Sequence, residues 1–207
     1  MDTEAEIIEA EEGATWMAIH VKEGISRGFP VLESPRLRLR KITQEDCLDL
    51  YQCMTNPLVS SNTSFEPQTL LFPARLFRYF TECYESLRDL HFAIELKQSN
   101  KVIGVCSLQH WDQFKSKARL GYLLSPACWR QGYATEAARS LIDFGFETLE
   151  LERIEARCAW DNPASERVLQ KCGMNYVKTV PTGSKKQGDE ETSLKLFAMN
   201  RGGEIAD

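Results

Sequence analysis

The chain has 207 residues, of which 43% are hydrophobic and 27% charged, and its formal net charge is −5 at pH 7. This length fits one ordinary domain with a sizeable core, and the composition is typical of globular proteins rather than disordered chains. The acidic balance argues against binding to nucleic acid and suits a cationic partner such as an amine. No stretch approaches the roughly 18–20 apolar residues of a membrane span, and the acidic N-terminus lacks the basic start of a secretory signal, so we expect a cytoplasmic protein without a membrane partner.

The cysteines are scattered along the chain, and their number, seven, is odd. Neither they nor the three histidines show the close spacing of a zinc site. We therefore expect reduced, mostly buried thiols and no metal site. The sequence leaves open whether the protein is a monomer or a homodimer.

The N-terminal half predicts an extension, a strand and two helices. Residues 1–31 begin with an acidic run and are expected to form a mobile extension or a peripheral helix and strand. Residues 37–40 alternate apolar and charged side chains, which is the period of a half-buried strand. Thr43 and Asp46 resemble a capping box that opens a helix to about Met54. A second helix is predicted over residues 74–87.

The following segments alternate between strands and helices. The periodicity predicts strands over 91–96, 102–110, 118–124 and 153–158, with a long helix over 134–149. Asn162 as an N-cap, Pro163 at the first helical position and Gly173 as a C′ residue delimit a helix over 164–172. The last two strands are predicted over 174–180 and 192–199, joined by a polar loop over 183–191.

This order of elements predicts an α/β (α+β) fold with one mixed sheet of about six or seven strands flanked by about four helices. Antiparallel strands come first and βα units last, so the sheet should contain both parallel and antiparallel pairs.

The loop before the long helix has the sequence WRQGYAT over residues 129–135. A turn at a helix start leaves several backbone N–H groups unpaired at the positive end of the helix dipole, an arrangement that binds a phosphate or pyrophosphate. Gly132 allows close approach of the backbone to such a ligand, and Ala134 is too small to obstruct it. Arg130 can add a charge-assisted contact. A glycine at such a junction is also common for steric reasons alone.

This loop and its helix resemble the acetyl-CoA-binding motif of the GNAT acetyltransferases. The family pattern is Gln or Arg, two residues, Gly, one residue, then Gly or Ala. Gly132 and Ala134 match it, whereas the first position holds Trp129. An aromatic residue at this position resembles the pattern of the ribosomal-protein N-terminal acetyltransferase (Rim-type) branch.

Two further segments carry the same resemblance. Residues 161–174, DNPASERVLQKCGM, resemble the family's second CoA segment, and residues 32–40, LESPRLRLR, resemble the first strand of the Rim-type branch. The resemblance implies a GNAT domain over 32–200, with an extension over 1–31 and a tail over 201–207.

The resemblance also implies the site residues. Acetyl-CoA is the implied co-substrate, bound by Tyr122, Leu123, Leu124, Arg130, Gln131, Gly132, Tyr133, Ala134, Thr135, Asn162 and Ser165. Many GNAT enzymes protonate the leaving thiolate with a Tyr, but the matching position here is Leu169, which leaves Ser165 as the substitute acid. The identity of the general base is left open, and the candidates are His110, Glu190 and Glu191. Relatives often carry a Glu where this chain has Arg119 or Leu120.

The resemblance implies an N-acetyltransferase that moves an acetyl group to a primary amine, most simply the α-amine of a protein N-terminus. An α-amine, with a pKa of about 7.7–8, is roughly a tenth neutral at pH 7, whereas a Lys amine is far less so. Acetylation of a small amine, such as a polyamine, an amino acid or an antibiotic, is an alternative. A non-catalytic CoA-binding or interaction module is another.

Overall fold

A computed structural model describes residues 22–61, 72–112, 114–181 and 193–203 of the chain. Its strands are β1 Leu32–Glu33, β2 Leu37–Lys41, β3 Leu90–Leu96, β4 Lys101–Asp112, β5 Lys117–Leu124, β6 Arg153–Ala159, β7 Asn175–Pro181 and β8 Ser193–Asn200. Its helices are α1 Cys47–Thr55, α2 Pro57–Ser60, α3 Pro73–Ser86, α4 Tyr133–Glu147 and α5 Pro163–Lys171. Residues 22–27 are also helical. The predicted loop over 183–191, with Glu190 and Glu191, lies outside the described residues.

The strands form one sheet in the order β1-β2-β3-β4-β5-β6-β8-β7. Neighbouring strands are antiparallel except β5 and β6, which are parallel, so the predicted mixed α+β sheet is confirmed. The sheet has eight strands rather than six or seven, and the short β1 is the addition that periodicity could not detect. Two residues are too few for an alternating pattern to be visible.

Hydrophobic clusters cover both faces of the sheet. On one face, α4 and α5 pack over the sheet through residues such as Leu141 and Leu169. On the other face, α1 and α3 pack through Leu50, Leu76 and Phe80. Neighbouring residues of a strand point to opposite faces. A side chain on β5 therefore belongs either to the α4/α5 face or to the α1/α3 face.

Local capping fixes the start and end of α5 as the sequence predicted. The Asn162 side chain accepts a hydrogen bond from the Ser165 N–H at 3.0 Å, and Pro163 opens the helix. Gly173, with φ +84°, takes the left-handed conformation just beyond its end. The capping box is confirmed as well, because the Asp46 carboxylate accepts from the Thr43 N–H at 2.8 Å.

The described cysteines are free, and all are buried except Cys128, which is half-buried. Within the described residues, the helices are too short or too polar to cross a membrane. Ile25 and Phe29, from the segment before β1, pack against the core of the α4/α5 face.

Candidate active site

The site is centred on a gap between β5 and β6. These parallel strands pair from Lys117–Arg153 to Leu120–Ala156. Beyond this last pair, β5 continues to Leu124 and β6 continues to Ala159. The two strands therefore diverge, and a V-shaped opening forms whose base is the Leu120–Ala156 pair.

The backbone of β5 faces this opening at alternate residues. The Ser125 N–H donates to the Ile103 carbonyl at 2.8 Å, so the odd-numbered residues at this end of β5 direct their backbone groups toward β4. The backbone groups of Tyr122 and Leu124 therefore point toward the gap. The Leu124 carbonyl accepts a hydrogen bond from the Trp129 indole at 2.8 Å. The N–H groups of Tyr122 and Leu124 face the gap beyond the last β5–β6 pair.

An anion-binding turn lies where β5 leads into α4. Gly132 is the N-cap of α4 with φ +83°, and it offers no side chain to cap the helix. The N–H groups of Tyr133, Ala134 and Thr135 consequently lack acceptors within the helix, and the positive end of the helix dipole adds to them. Arg130, also left-handed at φ +61°, is exposed beside the turn. This geometry fits a phosphate or pyrophosphate.

Arg36 and Glu136 hold the turn in place. The Arg36 guanidinium forms an ion pair with Glu136 at 2.7 Å, donates to the Gln131 carbonyl at 2.9 Å and lies over the Tyr133 ring at 4.4 Å. Ser34 also donates to Glu136, at 2.8 Å. Burial alone would raise the pKa of the Glu136 carboxyl, but hydrogen bonds from Arg36 and Ser34 outweigh it and lower that pKa. Glu136 is therefore a charged anchor for the loop.

This clamp was missed from the sequence, although both residues lie in motifs that carried the resemblance. Arg36 belongs to the first-strand motif and Glu136 to the helix that follows the WRQGYAT loop, and a hundred residues separate them. The clamp also limits what Tyr133 can contribute. Its ring is buried against Arg36, so only its backbone N–H is directed to a ligand.

The structure places the other predicted loop residues around the same turn. Trp129, which replaces the family's Gln or Arg, donates its indole N–H to the carbonyl of Leu124, the last residue of β5. The Gln131 side chain donates back to the Ala127 carbonyl at 3.0 Å and so stabilises the loop. Leu123 packs with the cluster of the α1/α3 face, and the Leu124 side chain is buried on the α4/α5 face.

Tyr122 and Ser165 join the two arms of the gap. Their hydroxyl oxygens are 2.8 Å apart, and either can be the donor; the Ser165 carbonyl, 3.2 Å from the Tyr122 oxygen, is a second available acceptor for the phenol proton. Burial raises the pKa of the Tyr122 phenol, which keeps it protonated at neutral pH. The matching family Tyr position, Leu169, is buried in the core. A tyrosine hydroxyl is thus present at the start of α5, but it comes from β5.

His110 lies apart from this hydroxyl pair, near the far end of β4. Its backbone N–H donates to Asp89 at 2.6 Å, and its φ of +52° marks an irregularity in the strand. Burial lowers the pKa of His110, and the positive charges of Arg119 and Arg157 lower it further. The imidazole is therefore neutral at neutral pH and has the proton-accepting form of a base.

An α+β domain whose parallel strand pair splays beside an anion-binding turn is the architecture of a CoA-dependent acyltransferase. The family model described as "Acetyltransferase (GNAT) domain" matches residues 36–175. The chain belongs to the GNAT family and is an N-acetyltransferase of that family.

Sequence and structure relatives agree with this assignment. The uncharacterized N-acetyltransferase YoaA of Bacillus subtilis is 33% identical over 146 residues, covering 70% of this chain and 82% of YoaA. RimL, a ribosomal L7/L12 alpha-N-protein acetyltransferase solved with coenzyme A, superposes with a TM-score of 0.73 at 17% identity, covering 83% of this chain and 98% of RimL. A spermidine N-acetyltransferase SpeG chimera from Vibrio cholerae and hSSAT superposes with a TM-score of 0.69 at 17% identity, covering 80% of this chain and 96% of the chimera. At these identities the two solved structures show a shared fold.

Proposed function

We propose that this protein transfers the acetyl group of acetyl-CoA to the α-amine of a protein N-terminus, as a member of the Rim-type branch. One observation carries the proposal. The gap between β5 and β6 has an anion-binding turn at one end and a hydrogen-bonded hydroxyl pair, Tyr122 and Ser165, across it. A thioester carried by a pyrophosphate-containing cofactor requires both features.

The residues that would hold the cofactor follow from the geometry. The first-turn N–H groups of α4 and the guanidinium of Arg130 would bind the pyrophosphate. The N–H groups of Tyr122 and Leu124 would contact the pantetheine arm and stabilise the charge that develops on the carbonyl oxygen. Acetyl-CoA supplies an activated acetyl thioester with a thiolate leaving group.

Ser165 is the proposed acid, and Tyr122 positions it. A hydroxyl can accept one hydrogen bond while donating another. Burial keeps Tyr122 protonated, and its single proton can be donated to Ser165 Oγ, the nearer of its two acceptors, which leaves the serine proton for the departing sulfur. The demand on this acid is mild, since a thiol has a pKa of about 8.5 and its thiolate leaves readily.

The acceptor must reach the site as a neutral amine. An α-amine meets this need with little help, because its pKa is about 7.7–8. Arg119 or Leu120 stands where relatives often carry a Glu, and neither a guanidinium nor a leucine can serve as a base. Positive charge near the gap instead disfavours the ammonium form of the acceptor. His110, neutral and acted on by the same arginine charges, is the proposed base.

The relatives support the reaction class and leave two acceptor classes to compare. RimL is named for an α-N-protein reaction and SpeG for spermidine, so one fold serves both kinds of amine. We favour a peptide α-amine here because a dicationic or tricationic amine would meet Arg119 and Arg157. The described free thiols, nearly all buried, support a cytosolic site of action.

The test is an acetylation assay with acetyl-CoA and a panel of N-terminal peptides, with spermidine and free amino acids as parallel acceptors. Thiol release and the mass of the product report transfer. Ser165→Ala should lower kcat by about tenfold to a hundredfold, while acetyl-CoA still raises Tm as in the wild type. Transfer to spermidine but to no peptide would overturn the proposal. Binding of acetyl-CoA without acetylation of any acceptor would identify a non-catalytic CoA-binding module.

His110 is tested separately by comparing His110→Ala with the wild type over a pH range. Loss of the base should lower kcat/KM for the peptide by about a hundredfold at pH 7, with recovery at high pH where the amine deprotonates by itself. A profile identical to that of the wild type would exclude His110 as the base.

A further inference from the structure

Two arginines flank the base of the V-shaped opening on the face away from α4 and α5. Leu120 and Ala156 form the last parallel pair, and both side chains are buried in the cluster of the α4/α5 face. Arg119 precedes Leu120, and Arg157 follows Ala156. Because neighbouring strand residues alternate between faces, both arginines project from the α1/α3 face.

This is the face from which an acceptor would approach. The anion-binding turn and the Tyr122–Ser165 pair lie at the N-termini of α4 and α5, so a cofactor bound there occupies the α4/α5 side of the gap. The opposite side is then the one left for the amine. Arg119 and Arg157 are consequently placed beside the acceptor rather than beside the cofactor.

The guanidinium groups lack a carboxylate partner among the described residues. The Arg119 Nε atom is buried and has no hydrogen-bond partner, and burial, with the charge of Arg157, lowers the pKa of Arg119. The acids whose charges act on Arg119 are already bound, since Glu155 pairs with Arg153 at 2.9 Å and Asp89 accepts from the His110 N–H at 2.6 Å. A buried, unsatisfied guanidinium N–H is costly, and a ligand that accepts its hydrogen bond removes the cost.

We propose that Arg119 and Arg157 bind a carboxylate of the acceptor, so that the preferred substrate is a peptide with an acidic residue next to its α-amine. This inference rests on the proposed function and narrows its substrate class. A carboxylate matches the planar donor fork of a guanidinium, and two such forks at the base of the gap hold it beside the reacting amine. The local positive charge contrasts with the net charge of the chain, −5.

The experiment compares two hexapeptides that differ only in Asp or Asn at the second position. Their Kd values are measured by calorimetry on the protein saturated with CoA, and their kcat/KM values are measured with acetyl-CoA. The wild type should bind the Asp peptide about tenfold to a hundredfold more tightly, as expected for hydrogen bonds to charged groups. Arg157→Gln should abolish this preference, because Arg157 is exposed and its replacement leaves the core intact.

Two further variants separate charge recognition from a folding effect. Arg167→Gln removes one positive charge from an exposed position on α5 and should leave the preference unchanged. Arg157→Glu should reverse the preference toward a peptide with Lys at the second position, which a damaged fold cannot do.

The outcomes also separate this inference from the proposed function. Equal Kd values for the Asp and Asn peptides, or a preference that survives in Arg157→Gln, would overturn the carboxylate assignment. Acetylation of both peptides at similar rates would then leave α-amine acetylation standing. A binding preference without any acetylation would support the arginine site and overturn the proposed function.

Discussion

Replacement of Gly132 by Glu should remove acetyl-CoA binding while leaving a folded protein. Gly132 has φ +83°, and a side chain in this left-handed region costs about 1–2 kcal/mol. A Cβ atom there would lie 3.3 Å from the Arg36 Nη2 atom, which is the flexible end of its side chain, so it adds little. For a chain of 207 residues this cost lowers Tm by about 2–8 °C. The new carboxylate occupies the anion position and repels the pyrophosphate.

The assay is thermal unfolding with and without acetyl-CoA. A ligand at 100 times its Kd adds about 2.7 kcal/mol of stability, so the wild-type Tm should rise by about 5–11 °C. Gly132→Glu should show no rise at the same concentration. Gly132→Ala should lose a similar amount of Tm, because its side chain meets the same left-handed φ. It should keep part of the acetyl-CoA-dependent increase in Tm, because it adds no charge.

Gly173→Ala is the matched control. Gly173 has φ +84° just beyond the C-terminal end of α5, and the nearest atom to an added Cβ is the Met199 Cε atom at 3.7 Å. This variant should lose a similar amount of Tm and keep the full ligand-dependent rise. If Gly132→Glu still shows the wild-type rise, the turn before α4 does not bind the cofactor. If the wild type shows no rise at saturating acetyl-CoA, the protein does not bind this cofactor.

Three other substitutions test the remaining contacts. Glu136→Gln removes the charge that anchors Arg36. Because the Arg36 side chain is about half exposed, the substitution should lower the free energy of unfolding by only about 1 kcal/mol. It should weaken acetyl-CoA binding measured by calorimetry, and an unchanged affinity would refute the role of this ion pair in holding the turn. Tyr122→Phe should lower kcat about tenfold with little change in the KM for acetyl-CoA, and full activity would show that Ser165 needs no partner. Burial lowers the pKa of His91 from 6.5 to about 4. The unfolded chain therefore binds a proton at this residue before the folded protein does, and the free energy of unfolding should fall by up to about 3 kcal/mol as the pH drops from 6.5 to 4. His91→Gln should flatten this decline in denaturant titrations, and an unchanged slope would assign it to other groups.

Much of the fold was predictable because its signals are local. The strand over 37–40 and the helix over 74–87 were predicted from periodicity, and the structure places β2 and α3 at those positions with small shifts at the ends. The caps of α5 could be read directly, since each depends on a residue type within a few positions of the helix end. The short β1 escaped detection because its pairing with β2, and not its own two residues, defines it.

The sequence by itself determined most of the segments that form strands and helices, and it located the turn before α4 through Gly132 and Ala134. Only the tertiary structure decided which side chains meet. Tyr122 and Ser165 are 43 residues apart, and no spacing rule predicts that a tyrosine on β5 supplies the hydroxyl where the family position is Leu169. Arg119 and Arg157 become neighbours because β5 and β6 pair in parallel with one register and then diverge. Contacts across the whole sheet set the strand register and the point where pairing ends. These long-range contacts therefore decide which side chains line the gap, and local sequence patterns do not encode them.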